Sequence, residues 1–210
     1  MKQLVIWGCG GHAREINWLC EQLGYRVIGF LDERPEMIGQ IINDVPVLGD
    51  LDNIEHLRRE TDIVCSGVGD PALRRRFVKK TVKAGFRPAA TLVHPDVKIS
   101  KRNRIGKGSV ICEGSILTEN IDIGNFVIVN RSVIVSHDVR IGDYVTIAPG
   151  VNIAGNVTIG DGAYIGIGAC IREKRSIGND AVIGGGAFVK DDVPPKTLAA
   201  GVPAEIKKYY

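Results

Sequence analysis

The strongest regularity in this chain is a six-residue period that runs from Val93 to Val189. Counted in sixes from Val93, all seventeen positions are Ile, Leu or Val. A period of six matches neither the 3.6-residue turn of an α-helix nor the two-residue alternation of a strand. It is typical of a parallel β-helix, in which each hexad forms one flat side and one corner. Three hexads make a triangular coil, so the repeat predicts five to six stacked coils with a height of about 27 Å.

The other hexad positions indicate how the coils turn. The fifth residue is small or β-branched in most hexads, which predicts a second inward-facing position. The second residue is often glycine, which we interpret as a corner that requires positive φ. These glycines are Gly106, Gly124, Gly142, Gly160, Gly166, Gly178 and Gly184. The coil domain is predicted over residues 91–194, and residues 195–210 form a tail that ends in a short basic helix.

Residues 1–90 predict a separate α/β domain. Leu4–Trp7 is typical of a buried strand, a glycine-rich turn follows, and a helical pattern leads to a second strand that ends at Asp32. Glycines allow the backbone to approach a phosphate, and a helix N-terminus offers free N–H groups. Gly10, Gly11, His12 and Asp32 are therefore candidate nucleotide contacts. The incomplete motif is also compatible with a tight strand-to-helix turn and no ligand.

With about 90 residues, this domain as a whole is only half of a full dinucleotide-binding fold. Its size suits a mononucleotide or nucleotide-linked ligand better than NAD. The segment between Asp32 and Asp52 contains several prolines and glycines and predicts irregular structure. A helix beginning at Pro71 is expected to bury Leu73, Phe77, Val78 and Val82. The neighbouring Arg74, Arg75 and Arg76 are interpreted as a solvated helix face.

Composition excludes several classes of function. A net charge of +3 is too small to indicate nucleic-acid binding. The five cysteines form no Cys-x-x-Cys pair, which argues against a zinc ribbon or a disulfide framework and favours a reducing cytoplasm. No apolar run approaches the roughly 18 residues of a membrane span, so we expect no membrane insertion.

One hexad carries a candidate catalytic pair. His137 stands at the third position of its hexad, where the side chain should point outward, and Asp138 can orient it. Imidazole has the pKa range that suits a general base near neutral pH. Asn130, seven residues earlier, is expected to reach the same groove. A zinc site made of three histidines is excluded, because the middle of the coil contains one histidine; we expect no metal.

Seven stretches together carry a family resemblance over the whole chain. The chain resembles bacterial nucleotide-sugar N-acetyltransferases of the hexapeptide-repeat superfamily, a group similar to sialic acid O-acetyltransferases and acting on UDP-, dTDP- or GDP-linked 4-amino-4,6-dideoxy sugars. The stretches that match are Ile6–Ala13, Phe30–Asp32, Val93–Pro95, Val135–Asp138, Ile147–Gly150, Ala154–Val157 and Gly201–Ala204. The combination of the Gly-Gly-His turn with the His-Asp hexad is the part of the resemblance that is most specific to this family.

The resemblance implies a left-handed parallel β-helix after a Rossmann-like half domain, a homotrimer, and acetyl-CoA as co-substrate. It implies that His137 is the general base and Asp138 its partner, and that Asn130 positions the sugar amine. It assigns the nucleotide to Gly10, Gly11, His12 and Asp32. Acetyl-CoA would bind along the coil at Gly155, Ile167 and Gly185. Some relatives have a second histidine nine residues after the base, and here that residue is Thr146, whose hydroxyl can still form a hydrogen bond.

The predicted reaction is acetyl transfer from acetyl-CoA to the C4 amine of the sugar, in the biosynthesis of a surface glycan such as an O-antigen, a capsule or a glycoprotein. O-acetylation of a sialic acid or another sugar hydroxyl by similar machinery is an alternative. A β-helix scaffold that binds a nucleotide without catalysis is a second alternative. N-acetylation and O-acetylation differ in the acceptor atom of the sugar, and the sequence distinguishes these two reactions poorly.

Overall fold

The computed structural model describes residues 3–58 and 60–210. These residues divide into two compact units, with the boundary between Leu92 and Val93. The first unit contains the α/β segment, and the second contains the hexads together with residues 195–210.

The first unit is built on a six-stranded sheet with the strand order β3-β4-β2-β1-β5-β6. All neighbours in this sheet are parallel except β3 and β4, which form an antiparallel hairpin. The strands are β1 (Gln3–Trp7), β2 (Arg26–Leu31), β3 (Ile41–Ile42), β4 (Val45–Gly49), β5 (Thr61–Val64) and β6 (Arg87–Pro88). The carboxyl ends of β1, β2 and β5 lie side by side, which is the edge where open α/β sheets bind ligands.

The hairpin of β3 and β4 lies in the segment that the sequence predicted to be irregular, so that prediction was wrong. Asn43 and Asp44 connect the strands with φ values of 47° and 62°. Two successive residues with positive φ make the turn that matches the twist of a two-residue hairpin, and Asn and Asp tolerate this conformation.

Two α-helices accompany the sheet, α1 (Gly11–Gln22) and α2 (Pro71–Lys83), with short 3-10 helices over Pro35–Met37, Leu51–Leu57 and Cys65–Gly67. The Asp70 side chain accepts a hydrogen bond from Leu73 N at 2.8 Å and caps α2. The strand, helix and strand predicted over residues 4–31 agree with β1, α1 and β2.

The buried face of α2 differs from the prediction. Leu73 and Val82 are 43% and 58% exposed. The buried residues are Arg74, Phe77, Val78 and Thr81. The helix turns this way because the Thr81 hydroxyl accepts a hydrogen bond from the Trp7 indole at 2.9 Å and because Phe77 stacks on the same indole. A buried indole N–H requires such a partner.

The second unit is a parallel β-helix with three flat faces, which we call sheets I, II and III. Within each face, the strands of successive coils pair in parallel with a register of eighteen residues.

Sheet I contains β7 (Leu92–Val93), β10 (Val110–Ile111), β13 (Ile128–Val129), β16 (Thr146–Ile147), β19 (Tyr164–Ile165), β22 (Val182–Ile183), β24 (Thr197–Ala200) and β25 (Glu205–Tyr209). Sheet II contains β8 (Lys98–Ile99), β11 (Ile116–Leu117), β14 (Ile134–Val135), β17 (Asn152–Ile153), β20 (Cys170–Ile171) and β23 (Phe188–Val189). Sheet III contains β9 (Arg104–Ile105), β12 (Asp122–Ile123), β15 (Arg140–Ile141), β18 (Thr158–Ile159) and β21 (Ser176–Ile177).

The interior of the prism confirms the interpretation of the hexads. Its core consists mainly of the first and fifth residues of each hexad, from Val97 to Val193. Burying these branched side chains stabilises the coil by roughly 1.5–3 kcal/mol each relative to exposure. The polar Asn103 is a partly buried exception, and its amide donates to Leu117 O at 3.1 Å.

The role of the corner glycines was predicted wrongly. Positive φ occurs at the fourth residue of each hexad, at every such position from Gly108 to Gly186, and most of these residues are not glycine. The glycines at the second position are required for a different reason. A Cβ on Gly160 would lie 2.6 Å from Asn179 N, so the close approach of stacked coils excludes any side chain there.

The tail also differs from its prediction. Residues 205–209 form a strand, β25, that pairs antiparallel with β24, where the sequence predicted a short basic helix. β24 itself continues sheet I by pairing with β22. The hairpin places a last pair of strands on the open end of this sheet, where unpaired backbone groups would otherwise remain.

Among the described residues, no helix has both the length and the apolar character needed to cross a bilayer.

Candidate functional site

The first unit has a pocket of about 430 Å³ at the carboxyl edge of its sheet, which we call the glycine-turn pocket. Its walls come from the turn after β1, the residues after β2, the loop 67–69 and the start of α2. The first turn of α1 borders the pocket, and the N–H groups of such a turn have no acceptor within their own helix. These free donors, at the positive end of the helix dipole, favour an anionic ligand group.

The predicted residues Gly10, Gly11 and His12 all line this pocket. Gly10 is the N-cap of α1, and nothing lies within 4 Å of the space that a Cβ there would occupy. Nε2 of His12 is 3.1 Å from Ser66 O, and Nδ1 is 3.5 Å from a Glu15 carboxylate oxygen. Burial lowers the pKa of His12 below its usual value, with the nearby Arg74 acting in the same direction. His12 is therefore a neutral donor to a backbone carbonyl at neutral pH.

Asp32 also lines the pocket, but its carboxylate is already occupied. Arg34 binds it with two parallel hydrogen bonds, Nε to Oδ1 at 2.8 Å and Nη2 to Oδ2 at 2.9 Å. The Cys9 thiol donates to Oδ2 at 3.0 Å. The Arg34 hydrogen bonds lower the pKa of Asp32 to about 2, while burial and this carboxylate raise the pKa of Cys9 to about 11. A ligand hydroxyl that binds Asp32 has to share it with Arg34.

We expect Asp32→Asn to lower stability in a pH-dependent manner. The folded-state pKa lies below the usual value of 3.8, so the stabilisation is present above pH 4 and is lost as the pH falls through about 2. Because solvent screens the half-exposed Arg34, the ionised Asp32 carboxylate contributes only about 1 kcal/mol to the free energy of unfolding at pH 7. Thermal melting at pH 7 and pH 3 should show a smaller difference between wild type and variant at pH 3.

Asp44→Asn is the matched control, because it removes the same charge from an exposed turn. Two results would contradict a stabilising role for the Asp32–Arg34 pair. One is an Asp32→Asn decrease in melting temperature that is the same at both pH values, and the other is a decrease at pH 7 no larger than that of the control.

The arginine cluster at residues 74–76 does not form a uniform solvated face. Arg74 is fully buried, and its Nη1 donates to Val68 O at 2.8 Å and to Gly69 O at 3.1 Å. It therefore holds the loop opposite His12. Arg76 lines the glycine-turn pocket and pairs with Glu33. Sequence reasoning missed Cys9, Arg34 and Arg76 as pocket residues, and it missed Arg74 as the residue that holds the 67–69 loop. For Arg34, the signal was its spacing of two residues from Asp32.

The second unit carries the candidate catalytic pair at the corner between sheets II and III, which we call corner II/III. His137 is exposed there, with 60% of its side chain accessible, as predicted for the third position of a hexad. Its Nδ1 lies 2.8 Å from Asp138 Oδ2. Asp138 has a φ of 59°, and this left-handed turn follows directly after His137. The hydrogen bond with His137 lowers the pKa of Asp138 below its usual value, so the carboxylate stays ionised.

This geometry determines the imidazole tautomer. A carboxylate only accepts hydrogen bonds, so the neutral ring carries its proton on Nδ1 and presents the Nε2 lone pair. A neutral imidazole with a free Nε2 can accept a proton from a substrate. The pair is therefore arranged as a general base with an orienting carboxylate.

Gly155 lies one coil after His137 in the same corner. A Cβ on Gly155 would be 2.6 Å from Cε1 and 2.7 Å from Nε2 of the imidazole, so the ring rests on the space that glycine leaves. The Gly155 N–H donates no hydrogen bond within the described residues. At the corner between sheets III and I, the equivalent N–H of Asn125 is capped by Asp143 Oδ1 at 2.7 Å. Corner II/III thus offers a free donor beside the base.

Comparisons with known proteins identify the family of the chain. Residues 3–81 match the PglD N-terminal domain family. A variant of perosamine N-acetyltransferase from Caulobacter crescentus, solved with CoA and GDP-perosamine, is 30% identical with a TM-score of 0.89, and the match covers 98% of this chain and 97% of that one. The acetyltransferase domain of PglB from Neisseria gonorrhoeae, solved with acetyl coenzyme A, is 32% identical with a TM-score of 0.88, and the match covers 98% of each chain. WeeI from Acinetobacter baumannii is 31% identical with a TM-score of 0.86, covering 97% of this chain and 98% of that one.

The chain belongs to the nucleotide-amino-sugar N-acetyltransferases of the hexapeptide-repeat family. The comparison with curated proteins found no match. The resemblance drawn from the sequence motifs is confirmed, as is the fold class of an α/β half domain followed by a left-handed parallel β-helix. The protein is an acyltransferase.

The remaining predicted residues of this acyltransferase lie elsewhere on the prism. Ile167 and Gly185 are adjacent at the corner between sheets I and II, corner I/II, where Ile167 is 63% exposed. Asn130 is at the same corner but is buried, and its Oδ1 accepts from Arg131 N at 3.2 Å. Thr146 is buried in β16 of sheet I. Within one chain these residues do not gather around His137.

Sheet II separates the two corners and has a shallow pocket of about 470 Å³ on its outer face. Ile134, Cys170 and Phe188 contribute its apolar part, and Ser136 joins it to His137. Sequence reasoning did not single out this face. The signal was the period of eighteen, which stacks residues 134, 152, 170 and 188.

One group of side chains has the composition of a metal site. His94, Asp96 and Glu113 offer ligand atoms within 4.8 Å of one another. His94 is buried, its Nδ1 accepts from Asp96 N at 3.1 Å, and its Nε2 has no partner among the described residues. The group spans the first two coils and does not include His137, so the predicted base is independent of it.

Proposed function

We propose that the protein transfers the acetyl group of acetyl-CoA to the C4 amine of a nucleotide-linked 4-amino-4,6-dideoxy sugar. The observation that carries this proposal is the His137 imidazole, which Asp138 orients and which lies over the backbone of Gly155. Perosamine N-acetyltransferase, bound to CoA and GDP-perosamine, and PglB, bound to acetyl coenzyme A, share the architecture over almost their full lengths.

In the proposed reaction, the neutral C4 amine attacks the thioester carbonyl carbon. The C–N bond forms, the C–S bond breaks, and Nε2 of His137 takes the proton that the amine loses. The sulfur leaves as a thiolate and receives a proton, so the products are the amide and free CoA. A free N–H such as that of Gly155 can stabilise the oxyanion that develops on the carbonyl oxygen. Because the thiolate is a good leaving group, this route requires no metal and no covalent enzyme intermediate.

The nucleotide is assigned to the glycine-turn pocket. Its free N–H groups at the start of α1 suit a diphosphate. Gly10, Gly11 and His12 border the phosphates in this arrangement, and the Asp32–Arg34 pair faces the nucleoside.

We further propose that the protein works as a homotrimer with active sites between copies. His137 and Gly155 belong to corner II/III, whereas Asn130, Ile167 and Gly185 belong to corner I/II. One chain cannot bring both corners to one reacting centre, but a threefold assembly of prisms can place one corner of one copy against another corner of the next. Acetyl-CoA along such a cleft would contact the free N–H groups of Gly155, Ile167 and Gly185, with Thr146 as a more distant partner.

A cytoplasmic location and a role in surface-glycan synthesis complete the proposal. All five cysteines are free, which suits a reducing compartment. Nucleotide-linked sugars are the donors from which cells build glycans such as O-antigens and capsules. Acetylation of the sugar before its transfer therefore fits an enzyme of their biosynthesis.

The test is a panel of UDP-, dTDP- and GDP-linked 4-amino-4,6-dideoxy sugars, with release of free CoA as the signal. Each amino sugar is paired with its 4-hydroxy counterpart and with the nucleotide alone. We expect turnover with at least one amino sugar and none with its two controls. Turnover of the hydroxy sugars would support O-acetylation of the sialic acid type, and binding without any turnover would support a scaffold; either result contradicts the proposal.

A further inference from the structure

Asn120 lies one coil before Asp138 at the same position of corner II/III. Its Nδ2 donates a hydrogen bond to Asp138 Oδ1 at 3.2 Å, while Asp138 Oδ2 faces His137 Nδ1 at 2.8 Å. The two oxygens of one carboxylate thus have two different partners on two coils. Asn120 is eighteen residues from Asp138, so no local motif in the sequence joins the two residues.

The Asp138 side chain needs such an anchor. Its backbone is held by the hydrogen bond from Asp138 N to Glu119 O at 3.0 Å, but this bond does not restrict the side-chain torsions. The side chain is 46% exposed, and an exposed carboxylate samples several rotamers in water. Only rotamers that direct an oxygen at Nδ1 keep the imidazole in the tautomer with a free Nε2.

We propose that Asn120 is a positioning residue, whose amide fixes the Asp138 carboxylate so that His137 keeps the tautomer required of the base. The inference rests on the proposed function for its catalytic consequence, but the contact itself and the tautomer are independent of any substrate. Asn120 acts through Asp138, to which its amide donates its hydrogen bond.

Asp138 lies among other charged side chains at corner II/III, and its own negative charge explains why position 120 carries an amide. Glu119 precedes His137 by one coil, and its carboxylate is held by Ser100 at 2.9 Å and by Arg102 at 3.0 Å. Glu173 and Lys174 lie one coil beyond Gly155, and Arg172 pairs with Glu173. A carboxylate at position 120 would face Asp138 at hydrogen-bond distance and repel it. Asparagine offers the same shape with a donor, and it tolerates the φ of 56° at this corner.

The experiment uses the full-length protein with Asn120→Gly and Asn120→Asp. Glycine keeps the left-handed corner and removes the amide, whereas aspartate keeps the shape and reverses the interaction. Imidazole ¹⁵N shifts of His137, assigned with His137→Gln, report the tautomer without substrate. We expect mainly protonated Nδ1 in the wild type and a mixture in both variants. We also expect kcat to fall about tenfold in Asn120→Gly and further in Asn120→Asp, with the KM for acetyl-CoA within about twofold.

Asp180→Gly is the matched control, because Asp180 is another exposed left-handed corner residue, with a φ of 54°, and lies at the corner between sheets III and I, away from the proposed active site. It should change neither the tautomer nor kcat. A wild-type tautomer ratio in both Asn120 variants overturns the inference, even if kcat falls, because a purely structural loss would not act through the ring. A shifted ratio in a protein that acetylates no amino sugar would support the positioning role and contradict the proposed function.

Discussion

Replacement of His137 by alanine is expected to reduce kcat by at least about 10²-fold, with little change in the KM for acetyl-CoA. The reason is that Nε2 of His137 is the proposed acceptor of the proton that the attacking amine must lose. Both ring nitrogens have defined roles, because Nδ1 is held by Asp138 at 2.8 Å. Steady-state release of free CoA, measured with the best amino sugar of the panel, provides kcat and KM separately.

The control for this variant is His56→Ala. His56 is exposed on the 3-10 helix of the first unit, so its loss should leave kcat unchanged. The His137 side chain is itself exposed and fills no core position, so the variant should keep its melting temperature. A His137→Ala protein that retains more than a tenth of the wild-type kcat would show that another group accepts the proton.

Gly155→Ala is expected to have the second-largest effect, a reduction of kcat by about 10- to 100-fold with a nearly unchanged melting temperature. The new methyl group would occupy space 2.6–2.7 Å from the imidazole atoms Cε1 and Nε2, which is closer than non-bonded atoms approach. The ring must therefore rotate away from its position, and it can do so because it borders solvent. Small displacements of a catalytic group cost large factors in rate.

A double variant distinguishes this cause from general damage to the coil. If Gly155→Ala acts only through the imidazole, it should reduce kcat no further in a protein that already carries His137→Ala. Gly160→Ala is the structural control. Its Cβ would be 2.6 Å from Asn179 N, a backbone atom that cannot move aside, so it should lower stability by roughly 1–3 kcal/mol and reduce the melting temperature. Equal melting temperatures for Gly155→Ala and Gly160→Ala would contradict this distinction.

The coil was predictable because its signal is local and repeated. The first residue of each hexad, from Val93 to Val189, is apolar because its side chain points into the prism. This pattern can be recognised without knowledge of any long-range contact. The predicted helix α1 and strands β1 and β2 were correct for the same reason. The corner glycines show where local reasoning failed. Positive φ is a property of single residues, but the actual constraint on Gly160 is the backbone of the next coil.

The candidate site was predictable in its residue types and only partly in its geometry. His137 and Asp138 are neighbours in sequence, so their hydrogen bond follows from local structure once the turn is known. The positions of Gly155 and Asn120 relative to them depend on the stacking of coils, which joins residues eighteen apart. That period could be read from the sequence, although only the hydrogen-bonded register shows which side chains meet.

The first unit shows the limit of motif reasoning more clearly. The glycine turn, His12 and Asp32 lie at one pocket, as the βαβ pattern predicted. The spacing of Arg34 from Asp32 indicated that the two residues are close, but not that Arg34 binds both carboxylate oxygens. The contact with Cys9 was not predictable, because Cys9 follows a neighbouring strand and contacts between strands have no periodic signal here. The burial of Arg74 was missed because an arginine on a helix is usually solvated, and only the carbonyl groups of the 67–69 loop explain the exception.

The amino-acid pattern alone indicated the class of the protein: a glycine-turn α/β domain, a prism of hexads and an outward His-Asp pair. These three features follow from residue types at fixed spacings along the chain. Backbone conformation and burial repeat at the same spacings, so the pattern indicates them directly. The groups that contact this pair, Gly155 on one side and Asn120 on the other, became known from the stacking of the coils. The tertiary structure also decided that Asn130, Ile167 and Gly185 belong to a different corner from His137. The physical reason is that contacts between coils depend on register and on side-chain torsions, which no single hexad specifies.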